Sequence, residues 1–271
     1  MVVRPSHVAS DAALLEEAVA AAGETALRYF RNDAKSWLKG DGTPVSEADL
    51  AVDEALRATL SAARPAYGFM SEEASLRQGS ARRTFVIDPI DGTRAYLRGE
   101  AMWAVVAAVV EDGRPIAAAI AAPAIGRMYV ASIGGGARRD GRTLSVSDQS
   151  ALDGAEVAMP GTLYNEGGLR ETGLRRAPQL PSLALRLAKV AEGAFDGVIT
   201  KHGPHHWDLA AADLILQEAG GTLMGLSGEP PRYDSPTTSH PPIIAAPRGF
   251  ADVLRAGATQ AYAGLAGGGQ L

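Results

Sequence analysis

The middle of the chain constrains the fold most. Three apolar, β-prone runs, 103–110, 115–122 and 128–132, follow one another, separated by Glu111-Asp112-Gly113-Arg114 and by a break opening Pro123-Ala124-Ile125-Gly126. Short apolar runs with glycine-containing turns between them predict an antiparallel meander. A shorter run, 84–87, ends in Asp88-Pro89 just before it, and 138–142 reads as a further turn leading into 143–146. Upstream the period is helical. Leu14, Leu15, Val19, Ala22, Ala26 and Tyr29 recur at mostly three- and four-residue intervals over 11–30, and Ser46 stands three residues before Asp49, a capping-box start for a helix to about 62. Between these helices Lys39-Gly40-Asp41-Gly42-Thr43-Pro44 reads as a mobile surface loop.

The second half is mixed. Segments 155–159, 197–200, 222–224 and 242–246 read as strands; 183–192, 207–219 and a stretch from about Phe250 read as helices, with Gly220-Gly221 closing the second. The end, 266–271, reads as frayed. There is no internal repeat. A chain of 271 residues is close to the size at which single cores stop growing, so two packed lobes are expected, 1–140 and 141–271.

Composition removes several function classes. A net charge of −5 argues against nucleic-acid binding, which needs a basic face. With no cysteine there is no disulfide framework, zinc finger or thiol nucleophile. The N-terminus lacks a basic-then-apolar signal, and 103–110 is far short of the ~20 residues that span a bilayer, so no membrane partner and a soluble, cytoplasmic location are expected.

The most informative segment is Val86-Ile87-Asp88-Pro89-Ile90-Asp91-Gly92-Thr93. Two carboxylates three residues apart converge only if the chain turns, and Pro89 and Gly92 are the residues to turn it. A turn opening into a helix also presents backbone N–H groups of Gly92, Thr93 and Arg94 to an anion. Carboxylates for cations beside amides for an anion suit a metal-bridged phosphate. Taken alone, Asp-Pro-x-Asp-Gly is more often a capped turn. Three further segments shift that balance: Asp49 at its helix start, Ser71-Glu72-Glu73 after an apolar run, and Trp207-Asp208-Leu209-Ala210-Ala211 opening a long helix that ends Glu218-Ala219-Gly220-Gly221.

On these motifs, in this order, the sequence resembles the inositol monophosphatase family of magnesium-dependent, lithium-sensitive phosphatases over roughly residues 10–250. The resemblance implies an α/β (α+β) fold, a layered α/β/α/β/α sandwich assembled as a homodimer, acting on a small-molecule phosphate ester. It implies that Glu72, Asp88 and the carbonyl of Ile90 hold one Mg²⁺, that Asp88, Asp91 and Asp208 hold a second, and that Glu72 also faces a third. Gly92 and Thr93 would bind the phosphate; Asp49 and Thr93, with Glu72, would orient and deprotonate the attacking water, without a phosphoenzyme. Each residue also has a plainer reading: Asp49 as a capping acid, Asp208 as a charge at a helix start, Glu73 as a solvated neighbour and Trp207 as packing.

The stretch before Trp207 departs from the inositol-phosphate pattern. Lys201 stands where an acidic residue would bind sugar hydroxyls. Together with Arg186 it looks more like the 3′(2′),5′-bisphosphate nucleotidases of the same superfamily, in which cations meet a second phosphate. Inositol monophosphate remains beside it, with histidinol phosphate and fructose bisphosphate as alternatives. His202, His205 and His206 suggest a transition-metal site less readily than a polar wall, because Pro204 interrupts any shared helical face. The pairs Arg82-Arg83, Arg138-Arg139 and Arg175-Arg176 read as solvated turns. A serine hydrolase is disfavoured because Gly-x-Ser-x-Gly is absent. A non-catalytic binding protein would require a damaged acidic set, and that set is complete.

Overall fold

A computed structural model describes residues 5–267, so the frayed end expected over 266–271 falls for 268–271 outside the described residues. The chain opens with α1 (Pro5–Tyr29), whose stripe of Leu15, Val19, Ala22 and Ala26 is buried. A hairpin follows, β1 (Ser36–Leu38) and β2 (Pro44–Ser46), and leads into α2 (Glu47–Ala63). The segment read as a mobile loop is the turn of this hairpin. Ser46 and Asp49 form the capping box that their spacing predicts.

A seven-stranded sheet comes next. Its strands lie side by side in chain order: β3 (Gly68–Ser71), β4 (Arg83–Asp91), β5 (Ala104–Glu111), β6 (Arg114–Ala122), β7 (Arg127–Ser132), β8 (Gly136–Arg139) and β9 (Arg142–Thr143). Every pair is antiparallel except β3 with β4, so the meander holds from β4 onward. Two details differ from the sequence expectation. Pro89 does not end its strand. It sits inside β4 where the register shifts between Asp88 and Asp91, a place where a residue without an N–H removes no ladder bond. The turn expected over 138–142 is tighter, with Asp140 and Gly141 both at positive φ (51° and 79°), as a two-residue hairpin requires. The pairs read as solvated turns include Arg83, which starts β4 and bonds the buried Asp11 at 2.9 Å.

A short helix, α3 (Thr93–Leu97), links β4 to β5. Beyond β9 the chain builds a second sheet of β10 (Glu156–Ala158), β11 (Arg175–Arg176), β12 (Gly197–Ile199), β13 (Gly221–Gly225) and β14 (Ile243–Pro247), in the order β11-β10-β12-β14-β13. Its helices are α4 (Gly161–Asn165), α5 (Leu183–Ala191), α6 (His206–Glu218) and α7 (Arg248–Gly267). Three cores separate the layers. Helices α1 and α2 cover one face of the large sheet through Leu15, Val52, Leu56 and Phe85. Helices α5 and α6 fill the space between the sheets through Leu187, Leu209 and Ile215, and α7 covers the outer face of the small sheet through Phe250 and Leu254. The order is therefore α/β/α/β/α. Because β5 and β6 are covered on both faces, they read in sequence as unbroken apolar runs, and their alanines let helices approach from either side.

One buried charge gives a stability test. Asp213 of α6 accepts from Gln217 Nε2 at 2.7 Å and from Tyr233 Oη at 2.9 Å, and burial pushes its pKa from 3.8 up to about 6. The folded state therefore holds this proton more tightly than the unfolded chain, and stability is lost as pH rises through that window. Asp213→Asn is expected to be more stable than the parent by about 1–3 kcal/mol at pH 8, with the advantage shrinking towards pH 4. Urea unfolding at the two pH values measures it; a pH-independent difference would rule out the ionisation as its source.

Candidate active site

Helix α2 supplies Asp49 from its first turn. The residue is buried, and its Oδ2 accepts from Ser46 N–H at 2.8 Å and Ser46 Oγ–H at 2.6 Å. This leaves Oδ1 to face Thr93 Oγ1 at 3.1 Å, and the same hydroxyl lies 3.0 Å from the Ile90 carbonyl oxygen. Burial raises the Asp49 pKa against the opposing bonds from Ser46 and Thr93. Thr93 reaches this position because Gly92 turns the chain from β4 into α3 at φ 98°, where a Cβ would also stand 3.4 Å from the Met102 carbonyl and the Ser182 N–H. Gly92, not Pro89, makes the turn.

The end of β4 and the start of α6 bring Asp88, Asp91 and Asp208 together, with ligand oxygens all within 4.8 Å of one another. Asp88 is buried and its Oδ1 has no hydrogen-bond partner. Burial, then Glu72, Asp91 and Asp208, push its pKa well above the carboxylate range. Asp91 has a second task. Its oxygens accept from Ser182 Oγ–H, from Ala184 N–H at 2.7 Å and from Leu183 N–H at 3.2 Å, so it caps the start of α5. Asp208 Oδ2 accepts from His205 N–H at 2.6 Å, and burial again raises its pKa, with Asp91 adding to the effect. Three carboxylates this close repel one another unless a cation or protons intervene. An orphaned buried oxygen and an all-oxygen donor set fit a hard divalent ion such as Mg²⁺.

Glu72 lies outside this triad but lines the same cavity of about 330 Å³, together with Ile90, Gly92 and Thr93. Lys39, from the hairpin turn, reaches over to it. Its Nζ lies 2.8 Å from Glu72 Oε1 and 2.6 Å from Glu73 Oε1. Glu73 is not a solvated neighbour: its side chain is 6% exposed, and burial pushes its pKa to about 7 in spite of Lys39. Nothing in the local sequence pairs Lys39 with residues 33 and 34 positions away.

A second cavity, of about 520 Å³, shares Asp91 and Asp208 with the first and is walled by Arg176, Arg186, Lys201 and His202. Arg186 stands on α5 with a buried Nε that has no partner. Burial lowers its pKa against the pull of Asp91 and Asp208. Arg176, expected in a turn, belongs to the edge strand β11, and its Nε donates to the Met159 carbonyl at 3.0 Å, fixing it in this wall. The three sequence-predicted histidines do not converge. His202 is exposed in the cavity wall, His205 stacks on Trp207 at 4.8 Å, and His206 is buried against His240. Among the described residues the aspartate triad is the group placed to hold a metal. Trp207 packs against the central core as read.

Comparison with known proteins shows the family. The model of the inositol monophosphatase family matches residues 8–262. A histidinol-phosphatase of Mycobacterium tuberculosis is 37% identical, over 75% of this chain and 82% of its own. An inositol-1-monophosphatase of Mesorhizobium japonicum is 36% identical over 70% and 75%, and a 3′(2′),5′-bisphosphate nucleotidase CysQ of Aggregatibacter actinomycetemcomitans is 30% identical over 79% and 83%. Among solved structures, the extragenic suppressor protein suhB of Bartonella henselae superposes with a TM-score of 0.79 at 27% identity, covering 92% of this chain and 96% of that one.

Proposed function

The chain belongs to the inositol monophosphatase family of phosphatases, and from that premise we propose a Mg²⁺-dependent phosphomonoesterase acting on a 3′(2′),5′-bisphosphate nucleotide, which carries a second anionic group, or on inositol monophosphate, with the nucleotide favoured. The observation that carries the substrate reading is the wall of the larger cavity. Arg176, Arg186 and Lys201 line it, and its only carboxylates among the described lining residues are Asp91 and Asp208. Three cations are more than a neutral polyol requires, and they oppose a cationic leaving group such as histidinol. Fructose bisphosphate meets the same charge requirement and is the alternative to these two.

Glu72, Asp88 and the Ile90 carbonyl would hold one ion, Asp88, Asp91 and Asp208 a second, and Glu72 a third. When bound, the ions supply Lewis-acid stabilisation of developing charge and lower the pKa of a water. The protein does the rest. Gly92 and Thr93 would bind the phosphate through backbone N–H groups at the turn after β4. Thr93 Oγ1, which lies between Asp49 Oδ1 and the Ile90 carbonyl, would orient the attacking water, and Asp49, with its raised pKa, would take the proton; Glu72 would orient the same water. The proposal extends to two lobes, 1–140 and 141–271, although the chain passes from one sheet to the other only beyond that boundary, between β9 and β10, which leaves β9 with the large sheet. It also extends to a cytoplasmic homodimer, supported by the family resemblance. No helix among the described residues is long and apolar enough to cross a membrane.

The test is a panel of phosphate esters at fixed Mg²⁺, run on the parent protein and on Lys201→Glu. The variant is expected to raise KM for a 3′,5′-bisphosphate nucleotide about 10- to 100-fold, because it replaces a charge-assisted partner worth ~1.5–3 kcal/mol with a repulsive one. Inositol monophosphate should be spared. Equal effects on both substrates, or a parent preference for histidinol phosphate, would overturn the substrate reading while leaving the metal site standing.

A further inference from the structure

The histidines that the metal reading leaves unused sit at a junction. The segment 226–242 joins β13 to β14 without a helix or strand of its own, and an isolated antiparallel bridge pairs its Ser239 with His205 at the start of α6. Three backbone bonds tie it to the 203–206 stretch: His240 N–H to the Pro204 carbonyl at 2.7 Å, Gly203 N–H to the His240 carbonyl at 3.0 Å, and His206 N–H to the Thr238 carbonyl at 3.0 Å. The side chains close the same seam. His206 Nδ1 lies 2.8 Å from His240 Nε2, and His206 Nε2 lies 3.1 Å from the Ser235 carbonyl oxygen. Both rings are buried, and Tyr233 sets its ring edge-on against each at 5.7 Å.

The direction of the imidazole–imidazole bond follows from its surroundings. A carbonyl oxygen faces His206 Nε2, so that nitrogen carries the proton. In the neutral ring Nδ1 is then a bare acceptor, and His240 Nε2 is the donor. Removing that donor would leave a buried acceptor without a partner at the point where two segments meet, and an unmade bond of this kind costs more than a made one contributes. On one side of the seam lie Lys201, His202 and Gly203 of the substrate cavity. On the other side the backbone N–H of His205, next to His206, holds the Asp208 carboxylate at 2.6 Å.

We propose that His240 is a positioning residue which, through its hydrogen bond to His206, clasps segment 226–242 to the first turn of α6 and thereby sets the placement of Asp208 and of the Lys201 cavity wall. This rests on the reading of Asp208 as a metal ligand.

The experiment measures equilibrium binding of Mn²⁺ alone, by calorimetry, together with kcat and KM at saturating Mg²⁺. The variants are His240→Leu, which fills the space without a donor; His240→Asn, whose amide stops short of His206; and His240→Gln, whose amide nitrogen reaches the place of Nε2. Leu254→Ala, in the core beneath α7, is the control for general loosening. The expected result is at least tenfold weaker Mn²⁺ binding and a lower kcat for the Leu and Asn variants, with the Gln variant within about threefold of the parent. Leu254→Ala should lower Tm and leave Mn²⁺ affinity unchanged. Parent-like Mn²⁺ affinity in a folded Leu or Asn variant, or no recovery in a folded Gln variant, overturns the clasp. If the Leu variant does not fold, the Asn and Gln pair decides. A parent protein that binds no Mn²⁺ would instead overturn the metal site, and the clasp with it.

Discussion

Asp88→Asn should lower kcat by three orders of magnitude or more and at the same time raise the melting temperature of the metal-free protein. The two effects have one cause. Asp88 is buried, its Oδ1 has no partner, and burial with four neighbouring carboxylates raises its pKa well above the usual range. An acid whose folded pKa is raised destabilises the fold as pH climbs through the interval between the unfolded and folded values, and an amide at the same place removes that cost. Each kcal/mol so relieved is worth ~2–4 °C in a chain of this size. The same charge is what the ions need, and losing several kcal/mol of transition-state stabilisation is ~10³-fold in rate. Asp91→Asn makes the contrast. It should also lose activity, but its melting temperature should fall, because an amide nitrogen would face either the Leu183 N–H at Oδ1 or the Ala184 N–H and Ser182 hydroxyl at Oδ2, where acceptors now cap α5. Thermal unfolding in EDTA beside steady-state kinetics in Mg²⁺ distinguishes the two. Near-parent kcat in folded Asp88→Asn would remove the carboxylate set from the chemistry.

Removal of divalent ions should abolish turnover altogether, and Mg²⁺ or Mn²⁺ should restore it, since both take oxygen ligands in near-octahedral arrangement. Ca²⁺ should bind and support little chemistry, because its looser coordination misplaces the attacking water. Binding should also stabilise the protein. Saturation to 100 times Kd contributes about 2.7 kcal/mol, or ~5–10 °C for a chain of this length. Full turnover after metal loss has been verified by elemental analysis is the result that would refute the mechanism.

What the sequence reveals and conceals divides along physical lines. Signals that act over one helical turn or one strand are readable: the Ser46-x-x-Asp49 capping box, the apolar runs of β5 to β7, and the Asp88/Asp91 pair with Gly92 after it. Strand β3 is harder to place, since its parallel pairing with β4 depends on a crossover that no local period encodes. Contacts between distant segments leave no local trace. Arg176 reads as a solvated turn because an edge strand of two residues has too few positions to show a period, yet that strand places it in the cavity wall. His240 lies in an aperiodic, proline-rich segment and gains meaning only from His206, 34 positions earlier. Asp91 looks like a ligand or a turn acid, and its role in capping α5 depends on Ser182, 91 positions on.

The alanines of the central layers act as a gauge. Asp88 and Asp91 ride on the large sheet while Asp208 rides on α6, and the core that joins these layers holds Ala104, Ala108 and Ala118 from the strands with Ala210, Ala211 and Ala212 from the helix. Small side chains in that core let the two layers approach closely, and the aspartate oxygens they carry lie within 4.8 Å of one another. A bulkier side chain there would widen the gap between the charges without altering a single polar atom. A Leu at one of these positions would therefore disturb the acidic cluster through packing alone, from a place that touches none of its oxygens.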